Sequence, residues 1–302
     1  MQIFNYDNIT SLPEKTVLVL GYFDGLHRGH QALFEEARKV ATVLNLKIAV
    51  LTFPEKPTLT FQKFEAEMLL KLTSDVQRER LFEENGVDYL VYKDFTSKFA
   101  HQNSSEFLSA IRPKFKPEVI VTGFDYTTGS DMVNLHSTED LKVINVSEVK
   151  DREGKISSSR IREAIQAGNV ALANELLGYK YEITGLVVHG FARGRELGYP
   201  TANLVIKDFI HLPAAGVYTV DIKEEGTWRR GFASIGYNET FGGKEKTIEV
   251  HIFDFSEEIY GESLTVRWLD KIRDMQKFDG IDGLVAQMKR DEEKARNYLA
   301  AE

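Results

Sequence analysis

Between residues 21 and 30 the chain reads GYFDGLHRGH, with three glycines, one aspartate and two histidines directly after the apolar run TVLVL. His27 and His30 stand three apart in what reads as the first turn of a helix, QALFEEARKVATVL, so both side chains project from one face near its N-terminal end. A helix start offers free backbone N–H groups and a partial positive charge, and is a natural seat for phosphate. Two imidazoles there can hydrogen-bond a nucleotide's phosphates and stabilise charge as a pentacoordinate phosphorus forms, while Gly25 and Gly29 let the ligand approach the backbone. The competing account is a plain turn at Asp24 and Gly25 with two imidazoles on a wet helix end. Strand, glycines and helix standing in the required order favour the phosphate seat.

A second group of candidates lies at residues 185–204, GLVVHGFARGRELGYPTANL. A glycine-rich turn carrying Arg193 and Arg195 can wrap phosphates with backbone N–H groups and guanidinium forks. Without further support the same stretch reads as a solvated hairpin. The pattern G-x-x-x-x-G-K-[ST] is absent, as is the protein-kinase catalytic loop, so a phosphate role needs another architecture. Further on, KTIEVHIFDF alternates so that Ile248, Val250 and Ile252 face one side of a strand and Glu249 and His251 the other. A lone strand carboxylate such as Glu249 is usually solvent-facing decoration.

These residues need elements to position them. From Thr16 to about Val146, short apolar runs (TVLVL, KIAVLTF, VDYLVY, EVIVTG) alternate with amphipathic stretches, which predicts βαβ units, a parallel sheet and a doubly wound α/β domain. In such sheets ligands bind beyond the carboxyl ends of the strands, where GYFDGLHRGH falls. SSSRIREAIQAGNVALANELLG predicts two short helices stopped by Gly168 and Gly178. After Gly178 come closely spaced strands rich in β-branched and aromatic residues, which predict an antiparallel barrel or sandwich with a helix from Ile281 onward. The expected domains are 1–178 and 179–302.

Composition excludes much else. With 302 residues, 38 basic and 46 acidic, the chain carries a formal charge of −8, so no global field holds nucleic acid. The start MQIFNYDNIT lacks the basic and apolar regions expected of a leader, and no apolar run reaches the ~18 residues of a membrane span. Zero cysteines exclude disulfides, thiolate metal sites and a cysteine nucleophile, and fit a reducing, cytoplasmic setting.

The motif GxFDGxHxGH resembles the nucleotidyltransferase signature of the bacterial bifunctional riboflavin kinase/FAD synthetase family. Its HxGH core also occurs in other nucleotidylyltransferases and in some class I aminoacyl-tRNA synthetases. ISSSRIR, residues 156–162, resembles that superfamily's ISSTxIR motif, and GxVVHGxxRGRxLGxPTANL resembles the riboflavin kinase signature almost without interruption. The resemblance implies an HxGH nucleotidyltransferase domain followed by a β-barrel kinase domain. It implies phosphorylation of riboflavin to FMN and adenylylation of FMN to FAD, with ATP as co-substrate and Mg²⁺ as metal.

By the same resemblance His27 and His30 serve adenylyl transfer, and nucleotide contacts fall to Gly21, Phe23, Asp24, Gly25, Gly29, Ser158, Ser159, Arg162, Gly190, Arg193, Gly194, Arg195, Gly198 and Pro200. Flavin contacts fall to Asp125, Asn238, Thr240 and Arg273. Thr201 and Asn203 hold Mg²⁺, and Glu249 is the kinase base. The chain departs from the family at TFPEKP, with Lys56 where histidine is common, at GFDYTTGSDMVNL, with Thr128 for an aromatic, and at SIGYNETF, with Glu239 for proline. Two other readings stay open: a riboflavin kinase with an inactive first domain, and a flavin-binding regulatory or transport-associated protein without turnover. The expected partners are small molecules, with no nucleic acid, no membrane, and a homo-oligomer left open.

Overall fold

The computed structural model describes residues 1–190, 198–237 and 246–300. The chain forms two compact units, Met1–Ser158 and Ser159–Glu302.

In the first unit β1 (Gln2–Asn5), β2 (Thr16–Leu20), β3 (Lys47–Thr52), β4 (Tyr89–Tyr92), β5 (Pro117–Gly123) and β6 (Lys142–Val146) form one sheet in the order β1-β4-β3-β2-β5-β6. Every pairing is parallel. The central strands are unbroken apolar runs because helices cover both faces; all five residues of β2 are buried. The edge strands QIFN and KVINV are short and half polar, and periodicity in the sequence did not reveal them.

After β2 the chain crosses to β3 on one side, whereas β5 pairs with β2 on the other. The order reverses at that point, and a crevice opens beyond the strand ends. Helix α1 (Arg28–Leu44) follows at once and buries Leu33, Phe34, Ala37 and Ala41 on one face. Helix α2 (Asp75–Glu84) starts at Ser74, whose hydroxyl accepts from Gln77 N at 3.2 Å. The short α3 (Ser97–Ala100) and α4 (Ser104–Phe115) precede β5, and a two-residue hairpin, β7 (Lys150–Asp151) and β8 (Gly154–Lys155), follows β6.

Helices α5 (Ser158–Gln166) and α6 (Val170–Leu177) stand where the sequence predicts them, and Gly168 and Gly178 stop them with φ of 78° and 80°. Beyond them β9 (Tyr181–Val188), β10 (Ala202–Val205), β11 (Gly216–Glu224), β12 (Thr227–Tyr237), β13 (Lys246–Ile252) and β14 (Ser263–Arg273) close into a barrel, ordered β10-β13-β12-β11-β14-β9. All pairings are antiparallel. Of the expected barrel or sandwich, the barrel is what forms.

Helix α7 (Ile281–Ala300) packs on β11, β12 and β14. Its Arg296 Nε lies 2.9 Å from Glu292 Oε1, an i, i+4 pair, and its guanidinium sits 4.2 Å from the Phe253 ring. On β13 the predicted alternation holds for Ile248, Val250 and Ile252, all buried, and for exposed Glu249. His251 shares the Glu249 side but is buried among Tyr199, Phe232 and Phe253.

Candidate active sites

A cavity of about 410 Å³ opens at the crevice of the first unit, lined by Gly21, Phe23, His27, Gly29, His30, Gly123–Thr127, Lys155 and Ser158 among others. The loop from β2 to α1 is tight: Phe23, Gly25 and Leu26 take φ of 60°, 79° and 33°. At Gly21 a Cβ would stand 2.6 Å from the Phe23 ring, so only glycine lets that ring fold back. Phe23 is buried and meets Phe34 at 5.3 Å, Phe82 at 5.8 Å and the His30 ring edge-on at 5.3 Å. His27 caps α1, and its carbonyl accepts from His30 N at 2.7 Å and Gln31 N at 2.9 Å. The two imidazoles stack at 3.7 Å and 18°.

Burial, reinforced by neighbouring His27, Arg78 and Lys155, holds His30 well below the ordinary imidazole value, so the ring is neutral near neutral pH. Its Nδ1 is buried with no hydrogen-bond partner among the described residues. Burial likewise pushes the Tyr126 phenol up to about 12, leaving it a donor. The β7–β8 hairpin delivers Lys155, whose Nζ lies 2.5 Å from Asp125 Oδ2 and 4.5 Å from the Phe124 ring centre. Asp24 is buried: its carboxylate accepts from Leu72 N at 2.8 Å and its carbonyl from Ser158 Oγ at 2.9 Å, which ties the serine run to the glycine loop.

In the second unit Asn203 on β10 stands opposite Glu249 on β13. Thr201, two residues earlier, points to the same side, and its Oγ1 donates to Glu249 Oε2 at 3.4 Å. A Cβ on Gly190 would fall 2.2 Å from Asn203 Nδ2, so that glycine makes room for the amide. Hydroxyl, amide carbonyl and carboxylate are hard oxygen donors, the set Mg²⁺ prefers. Beside Thr201 lies a cavity of about 280 Å³ walled by Val187, Pro200, Val250, Ile252 and the segment Phe255–Tyr260. His189 stacks on Tyr260 at 3.7 Å, and His251 Nδ1 donates to the Pro200 carbonyl at 2.8 Å.

Comparison with known proteins decides between the chemistries such cavities could serve. The sequence pattern of the family described as FAD synthetase matches residues 9–160, and that of riboflavin kinase matches residues 177–299. The bifunctional riboflavin kinase/FMN adenylyltransferase of Listeria monocytogenes is 37% identical over 291 residues, covering 94% of this chain and 92% of its own. That of Bacillus subtilis is 35% identical over 297 residues, with 95% and 93% covered. The chain belongs to the bifunctional riboflavin kinase/FMN adenylyltransferase family. A solved chain described as a macrolide-efflux protein from Streptococcus pneumoniae shares 46% identity and a TM-score of 0.92 over 98% of this chain and 99% of its own. Among the described residues no helix is long and apolar enough to cross a membrane.

Within the family frame, the residues expected from sequence fall in three groups. Gly21, Phe23, His27, Gly29, His30, Asp125 and Ser158 line the first cavity, with Asp24 and Gly25 in the loop that shapes it. Thr201, Asn203, Glu249 and Gly190 come together in the second unit, with Pro200 on the adjoining cavity and Gly198 at φ 80° leading into the strand. Ser159 and Arg162 stand on α5 in the second unit.

Arg273 forks onto Asp291 of α7 with bonds of 2.7 to 3.0 Å, and Asp291 is buried. Arg193, Gly194, Arg195, Asn238, Thr240 and the Glu239 departure lie outside the described residues. The Lys56 departure places its ammonium on the Leu70 carbonyl at 2.7 Å, and Thr128 is buried, bridging to Val133. Sequence reasoning missed Lys155, which stands two positions before the serine run, and Tyr126. It also missed Arg78, which reads there as one charge on an amphipathic helix.

Proposed function

We propose that the two activities of the family are divided between the two cavities: riboflavin is phosphorylated to FMN in the barrel, and FMN is adenylylated to FAD in the α/β unit. One observation carries the division. Each cavity lies wholly inside a different family match: the first is lined by His27, His30 and Ser158, and the second by Thr201, whose hydroxyl bonds Glu249. The enzyme's substrates are ATP with riboflavin and ATP with FMN. Its place in the cytoplasm is proposed on the absence of cysteine from the sequence.

In adenylyl transfer a phosphate oxygen of FMN attacks the α-phosphorus of ATP, and the bond to the β-phosphate oxygen breaks as pyrophosphate leaves. No protein nucleophile is needed; positioning and charge stabilisation carry the rate. The stacked imidazoles at the start of α1 are proposed to hold the reacting phosphates. His30 Nδ1, buried and unpartnered, supports this, because a buried polar group without a partner is costly unless a ligand completes it.

In the kinase reaction the terminal ribityl hydroxyl attacks the γ-phosphorus of ATP and ADP leaves. Glu249 is proposed to accept the hydroxyl proton. Mg²⁺, when bound, neutralises phosphate charge, and the oxygens of Thr201 and Asn203 are the groups proposed to hold it. The aliphatic walls of the adjoining cavity suit the adenine of ATP.

The direct test follows flavin products by chromatography from two tubes of purified protein, one given riboflavin and one FMN, each with ATP and Mg²⁺, under oxidised and reduced conditions. FAD from both supports the two-activity reading. FMN accumulating without FAD confines activity to the barrel, and bound flavin with no product in any tube sinks the enzymatic reading.

A further inference from the structure

Arg78 on α2 is one of the most deeply buried side chains of the first unit, with 1% of its surface exposed. Its Nη1 donates to the Phe53 carbonyl at 2.9 Å, and its Nη2 donates to Thr52 Oγ1 at 2.6 Å and to the Tyr22 carbonyl. The guanidinium also lies 5.0 Å from the Tyr22 ring and 5.8 Å from those of Phe82 and Tyr92. No carboxylate among the described residues is paired with it. Glu79, its neighbour on α2, feels its charge but makes no ion pair with it.

A buried cation without a counter-charge is heavily penalised, and an apolar side chain of similar volume is normally the more stable occupant. The three acceptors indicate what the charge does. Tyr22 belongs to the loop after β2, Thr52 ends β3 and Phe53 follows it, so one guanidinium clamps two adjacent strand ends at the carboxyl edge of the sheet. Thr52 Oγ1 also donates to the Tyr22 carbonyl at 3.0 Å. Arg78 does not itself line the cavity, but Tyr22 and His30 do. The charged and aromatic groups around His30 are the stacked His27, the edge-on Phe23, Arg78 and Lys155.

We propose that Arg78 is a positioning residue of the adenylyl-transfer site, and that the polyphosphate of bound ATP is the counter-charge the protein omits. The inference rests on the reading of the first cavity given above. It assigns Arg78 two tasks: holding the Tyr22 loop in register with β3, and keeping a positive charge behind His30 that favours an anion in front of it.

The test uses the full chain with Arg78→Met, Arg78→Lys and His30→Ala. FAD formation from FMN and Mg·ATP is measured across pH, FMN formation from riboflavin serves as an internal control, and far-UV circular dichroism follows melting. For Arg78→Met the expected result is at least a tenfold loss in kcat/KM for ATP in adenylylation, carried mainly by KM, with unchanged kinase activity. Its melting temperature should be no lower than that of the parent, and the acid limb of its pH profile should move to higher pH. Arg78→Lys should recover part of the KM.

Arg78→Met with parental KM, kcat and pH profile would overturn the inference. So would a variant that melts earlier and loses kcat in proportion, with no rescue by lysine, because that is the behaviour of core packing alone. Parental adenylylation in His30→Ala would bring down the reading of the cavity and this inference together. Loss in His30→Ala beside a parental Arg78→Met overturns the inference alone.

Discussion

Arg78 in the first unit and Arg273 in the second are both guanidinium groups drawn into the protein, yet their partners differ. Arg78 meets two carbonyls and a hydroxyl. Arg273 forks onto the carboxylate of Asp291, itself 1% exposed and also held by Gln287 at 2.9 Å. A charge balanced inside the protein fastens elements together, here β14 to α7. A charge left unbalanced beside a cavity is available to a ligand. The same contrast runs through the two sites. The first is a buried helix start that keeps His30 neutral beside the cations Arg78 and Lys155, and the second is a set of oxygen donors aligned by strand register.

The sharpest way to break that contrast is to exchange the fates of the two reactions. Glu249→Gln should lower FMN formation by about 10³-fold while FAD formation from supplied FMN stays at the parental rate. His30→Ala should do the reverse. Product chromatography on both variants checks the pair, and loss of both activities in either variant, with folding intact, would show that the sites are not independent.

Next in size is the balanced arginine. Asp291→Asn leaves Arg273 without its carboxylate and should destabilise the barrel by about 3 kcal/mol, the usual cost of breaking a buried pair from one side. Both tryptophans, Trp228 and Trp268, lie in the second unit, so their fluorescence during denaturation reports that unit separately. A parental midpoint for Asp291→Asn would mean that Arg273, like Arg78, is not held for stability.

What the sequence reveals of each site follows from how the site is built. GYFDGLHRGH is contiguous, and its chemistry is legible because strand, glycine turn and helix start follow one another along the chain. The Thr201–Glu249 contact is legible only through resemblance, since 48 positions separate the two residues and the β10–β13 register alone joins them. The α/β fold could be read from the alternation of apolar runs and amphipathic stretches. The edge strands could not, because four or five residues with polar alternation carry too little pattern. Arg78 stayed hidden for another reason: QRERLF looks like an exposed charged helix, and only the packing of α2 against the strand ends buries one of its two arginines.

Gly190 sharpens the account of the second site on a smaller scale. A methyl group there would press on the Asn203 amide at 2.2 Å, a distance real side chains do not tolerate. Gly190→Ala should therefore displace the amide and lower kinase kcat/KM by about tenfold or more, since small misplacements of positioning groups cost that much. Adenylylation should not change. An unaffected kinase would mean that Asn203 has room to move without loss, and would weaken its assignment to the metal.

The smallest effect is expected from His30 titration, and it tests the first site's electrostatics without substrate. Because burial and neighbouring cations hold the folded His30 below the ordinary imidazole value of about 6.5, the unfolded chain binds the proton first as pH falls. The contribution to stability is therefore complete above that value and is lost as pH drops through and below it. Melting of the first unit, followed by circular dichroism apart from the tryptophan signal, should fall more steeply with acidification in the parent than in His30→Asn. Saturating ATP should flatten the parental slope, because an anion beside His30 raises its proton affinity in the bound state. Equal slopes in parent and variant would mean that the imidazole is solvated and exchanges protons freely, and the contrast between a charge-suppressed first site and a register-built second one would lose its first half.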